Sequence, residues 1–197
     1  MKIIFVFEIT LSLPKIFIAM QKITNEQLGR LTPDEFRAAE KMRVTVVLDN
    51  VRSAQNVGAF FRTCDAFAVG HLALCGITAA PPNRDIHKTA LGAEQSVAWS
   101  YHATTGECIA ELRARGVRIY AVEQVEDAAM LDSFCAEEGV EYALVFGNEV
   151  EGVAQSVVDM CDGAIEIPQA GTKHSLNVSV SGGVVLWNFF CQIPPKR

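Results

Sequence analysis

The hydrophobic positions of this chain fall into short continuous runs separated by stretches of helical spacing. The β-branched run Val44 to Leu48 predicts a buried strand, as do Leu72 to Leu74, Val97 to Tyr101, Val117 to Val122 and Tyr142 to Phe146. Continuous rather than alternating apolar runs suit strands covered on both faces. The intervening segments carry helix signals. Thr32-Pro-Asp-Glu35 supplies a capping Thr, a Pro at the first helical position and a Glu at the third, predicting a helix to about Met42. Asn56-Val-Gly58 reads as a turn before a helix that carries Phe60, Phe61, Ala66 and Phe67 and ends at Gly70. The loop Pro81 to Asp85 leads into a small helix through Leu91, and Thr104-Thr-Gly-Glu107 opens a helix closing at Gly116. Further helices are predicted over Asp127 to Glu138 and Val153 to Met160. This alternation implies an α/β fold, a mainly parallel sheet with helices on both faces.

The C-terminal stretch departs from a plain core pattern. Ile165-Glu-Ile167 starts as a strand, passes a loop with Pro168 and Gly171, and resumes at Ser175 as an apolar helix. That helix sets Ser175, Asn177, Ser179 and Ser181 among Leu176, Val178, Val180 and Val184. Hydroxyls and amides carried into an interior are costly unless paired. They serve either to cap and closely pack a helix or to meet a ligand.

Composition narrows the classes. A chain of 197 residues, 50% hydrophobic and 20% charged, forms one ordinary domain with a short appendage. Its six cysteines include no Cys-x-x-Cys pair and no Cys/His cluster, so neither a zinc site nor a disulfide framework is indicated. They read as buried free thiols of a reducing, cytoplasmic compartment. A net charge of −6 argues against gripping nucleic acid by bulk electrostatics. It leaves room for a local basic rim from Arg52, Arg62, Arg84, His87, Lys88, Lys173 and His174. The apolar start is interrupted by Glu8, Pro14 and Lys15, a poor fit to a signal peptide or a membrane span. Residues 1–19 read as an extension, an upstream start or an arm, residues 20–42 as a helical arm, and residues 43–197 as the main domain.

In an open parallel sheet, ligands gather at the carboxyl ends of the strands. Three strand-end loops are unusual here. Asn50 to Arg62 holds an Asn at a helix start, a Gly permitting close backbone approach, and an Arg further into the helix. Gly147-Asn-Glu149-Val-Glu151-Gly152 brackets two acids with glycines, and the third loop follows Ile167. A dinucleotide fingerprint, a P-loop and a Gly-x-Ser-x-Gly elbow are all missing from the sequence, so His174-Ser175 beside Glu149 gives little support to a hydrolase.

Asn56-x-Gly58-x-x-x-Arg62, Gly147-Asn-Glu149-x-x-Gly152 and Ile167-Pro-x-x-Gly-x-x-x-Ser175-Leu-Asn177-Val-Ser179 resemble the three motifs of the SpoU (TrmH-like) RNA 2′-O-ribose methyltransferases of the SPOUT superfamily. Lys88-Thr-Ala-Leu-Gly-Ala-Glu94 also resembles a family segment, and the likeness runs from about Val44 to Cys191. Gln169 stands where the family commonly has Met. The resemblance implies a C-terminal deep trefoil knot, S-adenosyl-L-methionine held in the knot loops, a homodimer that completes each site, and transfer of a methyl group to a ribose 2′-hydroxyl of tRNA or rRNA. It assigns Gly147, Ile167 and Leu176 to cofactor binding and Asn56, Arg62, Glu149, Ser175 and Asn177 to catalysis. It implies no metal and no membrane. Arg62 matches the family's essential arginine, for which phosphate binding and orientation of the transition state weigh at least as much as a role as base, since a guanidinium stays protonated in water. Two other readings stay open at this level, a noncatalytic RNA- or ribosome-binding relative and a base methyltransferase on the same fold.

Overall fold

The continuous apolar runs become the middle of a parallel sheet, each strand covered on both sides. The computed structural model describes residues 21–24 and 26–196, and the extension expected over residues 1–19 lies outside them. A first unit ends at Leu31 and a second runs from Thr32. In the first, the described residues hold a 3-10 turn at Glu26–Leu28, where the Thr24 amide donates to Gln27 Oε1 at 2.8 Å.

The second unit begins with α1, Pro33–Ala38, closed by the expected capping box between Thr32 and Glu35. The helix is shorter than the sequence suggests, and Met42 already belongs to β1, Met42–Asp49. There follow α2, Ala54–Ala66; β2, Val69–Cys75; α3, Arg84–Ala90; β3, Trp99–His102; and α4, Thr105–Ala114. The chain continues with β4, Arg118–Val122; β5, Ala129–Met130; β6, Tyr142–Phe146; α5, Gln155–Val158; β7, Gly163–Glu166; and α6, Val178–Gln192. The strands form one sheet in the order β3-β2-β1-β6-β4-β7-β5, and all six pairings are parallel.

Alternation along the central strands splits the core in two. Val44, Val46 and Leu48 of β1 face Phe60 and Phe61 of α2 and Leu186 and Phe189 of α6. Val47 joins Ala143 and Val145 of β6 in a second cluster with Cys108, Ile109 and Leu112 of α4 and Val157 of α5. Helices therefore cover both faces, as expected.

Several elements differ from the sequence reading. The helix expected over Asp127 to Glu138 is absent; the segment holds the short edge strand β5 and turns. Its backbone groups are taken by tertiary partners: the Leu131 amide donates to Glu166 O at 2.8 Å, Asn188 Nδ2 donates to Leu131 O at 3.3 Å, and the Glu137 amide donates to Tyr142 Oη at 2.8 Å. Asp127 also sits at φ 61°, which a helix start does not tolerate. Gly70 lies inside β2 rather than ending α2. α5 is a single turn of four residues. The last helix begins at Val178, three residues after Ser175, because Asn177 caps it. Cys64, Cys75 and Cys108 are buried thiols as expected, but Cys135 and Cys191 are exposed and Cys161 is half-buried.

Candidate active site

Three strand ends and the start of one helix meet at the carboxyl edge of β4, β6 and β7. They enclose a cleft of about 510 Å³, a size suited to a small cofactor, lined by Val122 to Gln124, Phe146 to Gly152, Ile165 to Ile167, and His174 to Val178. Gly147, Ile167 and Leu176, expected to bind a cofactor, all line it, as do Glu149, Ser175 and Asn177.

Gly147 is there because the backbone folds back on itself. A Cβ at this position would stand 1.9 Å from Gly152 C and 2.1 Å from Val153 N. Asn148 and Gly152 exchange backbone hydrogen bonds, and Asn148 Oδ1 accepts from the amides of Val150 and Glu151 at 2.8 and 2.9 Å. The result is a tight hairpin whose main chain forms one wall. Ile167 packs against the core, while Leu176 is 41% exposed and presents an apolar surface to the opening.

The polar groups form one chain of hydrogen bonds. Glu149 reaches across to the start of α2: its Oε1 accepts from Asn56 Nδ2 at 2.8 Å and from the Ser53 amide at 3.0 Å, and its Oε2 accepts from the Arg52 amide at 3.0 Å. Asn56 Oδ1 in turn accepts from Asn177 Nδ2 at 3.3 Å and Ser179 Oγ at 3.4 Å. Asn177 Oδ1 accepts from the amides of Ser179 and Val180, which makes it the cap of α6. Residues 93 and 121 positions apart in sequence are thus joined by two side-chain contacts.

Burial raises the Glu149 carboxyl's pKa, but the hydrogen bonds from Asn56 and from the amides of Arg52, Glu149 and Ser53 outweigh it and hold the group below its ordinary value of 4.5. Glu149 is therefore ionised near neutrality and acts as an acceptor that fixes Asn56. Because the folded-state pKa is the lower one, this stabilisation is complete above the ordinary value and is lost as the pH falls through the folded one. Thermal melts between pH 7 and pH 3 are expected to decline below about pH 4.5, and Glu149→Gln should decline less steeply there. Parallel curves would assign the acid sensitivity to another group.

The expectation for the small polar residues needs correction. Ser175 and Asn177 are exposed rather than interior, and Ser179 and Ser181 are half-buried; the face of α6 that enters the core is Gly182, Val185, Leu186 and Phe189. Ser175 lines the cleft but makes no hydrogen bond among the described residues, and the cap of α2 is Ser53 rather than Asn56. Arg62 lies apart. It is exposed on α2, about 9 Å further along the axis than Asn56 and outside the cleft lining of its own chain. Among the described residues its guanidinium forms no ion pair or hydrogen bond.

Two contributors escaped the sequence reading. Glu123 Oε2 accepts from the Val153 amide at 2.9 Å, and Gln124 Nε2 donates to His174 O at 3.1 Å, so the end of β4 braces both flanking loops. The rule that strand ends carry ligands marks them, but Glu and Gln after a strand are too common to stand out in sequence. The described residues contain no cluster of metal-ligating groups and no helix long and apolar enough to cross a membrane.

The family model described as SpoU rRNA Methylase family matches residues 43–187. The tRNA (guanosine(18)-2′-O)-methyltransferase of Thermus thermophilus is 33% identical over 169 residues, 86% of this chain and 80% of that protein. The 23S rRNA (guanosine-2′-O-)-methyltransferase RlmB of Xanthomonas campestris is 29% identical over 76% of this chain and 59% of its own. Among solved structures, the A. aeolicus TrmH/SpoU tRNA modifying enzyme superposes with a TM-score of 0.71 at 26% identity, covering 81% of each chain. An AdoMet-bound rRNA methyltransferase from Sinorhizobium meliloti gives the same TM-score and identity over 82% of this chain and 61% of that one. Two motifs lining one cleft, the third tied to it through Asn56, and a family match over most of the sequence have a common explanation: this chain belongs to the SpoU rRNA methylase family.

Proposed function

We propose that this protein transfers a methyl group from S-adenosyl-L-methionine to a ribose 2′-hydroxyl of tRNA or rRNA, working in the cytoplasm as a homodimer. The observation that carries this reading is the convergence of Gly147, Ile167 and Leu176 on one cleft, with the Glu149–Asn56–Asn177 chain at its mouth. Gly147 leaves no room for a Cβ against Gly152 and Val153, and the tight hairpin this permits sets main-chain groups along the cleft, which fits a ligand held by backbone groups and an apolar wall. The names of relatives that act on tRNA and rRNA support the substrate class.

When bound, the sulfonium supplies a methyl group already activated for transfer, so the protein's task is placement and electrostatics. The hairpin Gly147 to Gly152 and the segment Ile167 to Leu176 hold the donor. Asn56 and Asn177, fixed by Glu149, present amide groups to the acceptor ribose, and Ser175 adds a free hydroxyl. Both Glu149 oxygens are engaged by amides, so it orients rather than takes the proton. Arg62 stabilises the oxygen on which negative charge develops, or the neighbouring phosphate.

The single chain leaves Arg62 away from its own cleft, and this is where a second copy enters the reading. Val180, Val184 and Trp187 of α6 are 51%, 39% and 55% exposed at i, i+4, i+7 spacing, an apolar stripe suited to a second copy. We assign to that pairing the delivery of one protomer's Arg62 to its partner's cleft. We assign the trefoil knot to the return of the chain from β7 to α6, which packs on α2, with the Gln124–His174 contact joining the end of β4 to the loop before α6.

Incubation with labelled S-adenosyl-L-methionine and total RNA, followed by alkaline hydrolysis, tests the reaction. Label retained in alkali-resistant dinucleotides is expected, because the blocked 2′-hydroxyl cannot attack its phosphate. Label in mononucleotides would make it a base methyltransferase, and no label at all would favour a noncatalytic RNA-binding relative.

A further inference from the structure

Several of the chain's positive charges are neutralised by nearby acids. At the amino edge of the sheet, Arg115 pairs with Glu141 at 2.6 Å, Arg113 lies 3.8 Å from Asp162, and Arg118 pairs with Glu137. On α3, which follows the carboxyl end of β2, the side chains of Arg84 and Lys88 have no ion pair or hydrogen bond among the described residues. Arg84, His87, Lys88 and Leu91 recur at i, i+3, i+4 and i+7 and are all exposed, whereas Ile86 and Ala90 are buried. α3 thus turns a basic face outward in a protein of net charge −6.

That face is fixed beside the cleft. Thr89 Oγ1 donates to Gln55 O at 3.0 Å, next to Asn56, and a Cβ on Gly58 would come within 2.0 Å of Thr89 Oγ1 and 2.5 Å of Ile86 O. Gly58 is what lets α3 lie directly on the start of α2. His87 is set by a further contact. Its Nδ1 lies 2.5 Å from Glu94 Oε1, and the two side chains are 67% and 10% exposed. Glu94 Oε2 is the one buried side-chain oxygen or nitrogen among the described residues with no hydrogen-bond partner. Burial raises the Glu94 carboxyl, but the His87 hydrogen bond and the amides of Glu94 and Gly92 outweigh it and keep the group below its ordinary value. An ionised carboxylate only accepts, so His87 Nδ1 carries the proton and Nε2 points to solvent. A nine-tenths buried acid thus anchors an exposed imidazole between Arg84 and Lys88 on the outer face.

We propose that the outer face of α3, with Arg84, His87 and Lys88 as contacts and Glu94 as the positioning residue of His87, docks the phosphate backbone of the RNA substrate. This rests on the reading of the substrate as RNA, and it gives the basic rim a definite place. Charge complementarity selects the occupant: three cationic or cation-capable groups at one helical spacing match successive phosphates, and phosphate contacts are indifferent to sequence.

The test uses the full-length protein with fluorescently labelled bulk tRNA, read by anisotropy across a salt series, alongside methyl transfer to total RNA. For Arg84→Gln/His87→Gln/Lys88→Gln, the salt slope of log K is expected to fall by about 2 to 3, with the KM for RNA raised at least about tenfold and kcat and cofactor affinity unchanged. Glu94→Gln should lower the slope by about 1 or less, through loss of the contact that holds the His87 ring in place, and His87→Lys should restore it in that background. An unchanged slope and KM in the triple variant, with wild-type turnover intact, overturns the proposal. Loss of RNA binding in the triple variant from a wild type that never methylates RNA would sustain this face and overturn the proposed reaction instead. Circular dichroism checks that each variant is folded, and the single variants Glu94→Gln and His87→Lys carry the test if the triple variant fails it.

Discussion

Arg62→Ala is expected to lower turnover by about two to three orders of magnitude, the usual loss when one preorganised charge is withdrawn from a developing anion, while leaving cofactor affinity almost unchanged. The reason is positional. The cleft is lined without Arg62, so donor binding should not need it, and its guanidinium is unpaired among the described residues. Stability should barely move, since the side chain is exposed. Single-turnover rates and isothermal titration with S-adenosyl-L-methionine separate the two effects. Equal loss of binding and rate would mean that Arg62 belongs to the donor site. A mixing experiment adds the geometry: Arg62→Ala combined with a variant defective in cofactor binding should recover up to about a quarter of wild-type activity, because half the dimers are mixed and each has one complete site. No recovery from mixed dimers would place Arg62 on its own protomer's cleft.

Gly147→Ala is the second large effect. The added methyl would stand 1.9 Å from Gly152 C and 2.1 Å from both Gly152 O and Val153 N, and none of these is a flexible side-chain end. The 147–152 hairpin must open, which moves Glu149 away from Asn56 as well as reshaping the donor wall. We expect cofactor affinity to fall by at least about a hundredfold and stability by about 1–3 kcal/mol, the range for overpacking a tight site. Titration calorimetry and chemical denaturation measure both. Wild-type affinity in a folded Gly147→Ala protein would remove the hairpin from the cofactor site. The same variant is the natural partner in the mixing experiment.

The reading from sequence succeeded where the physics is local or periodic. Val44 to Leu48 and Tyr142 to Phe146 read as buried strands because their apolar residues run without alternation, and Thr32 to Glu35 cap α1 through atoms three residues apart. It failed where distant partners decide. Leu131 and Phe134 have helical spacing, but the carbonyls and amides around them are claimed by Glu166, Asn188, Gln192 and Tyr142. Ser175 and Asn177 looked like polar groups pushed into a core, and they stand instead at the open end of α6. The motif residues were legible as a set, whereas their wiring was not. No spacing rule distinguishes Asn56 as the group that bridges Glu149 to Asn177.

By itself the sequence determined the layer architecture, because hydrophobic periodicity is written into neighbouring positions, and the resemblance of its three motifs pointed to the family and to most of the cleft residues. Only the tertiary structure decided which of those residues touch, that Glu149 is an anchored acceptor, that Arg62 stands outside its own cleft, and that α3 presents a basic face beside it. Those properties depend on distances between atoms far apart in the chain, and such distances exist only once the sheet has brought its strand ends together.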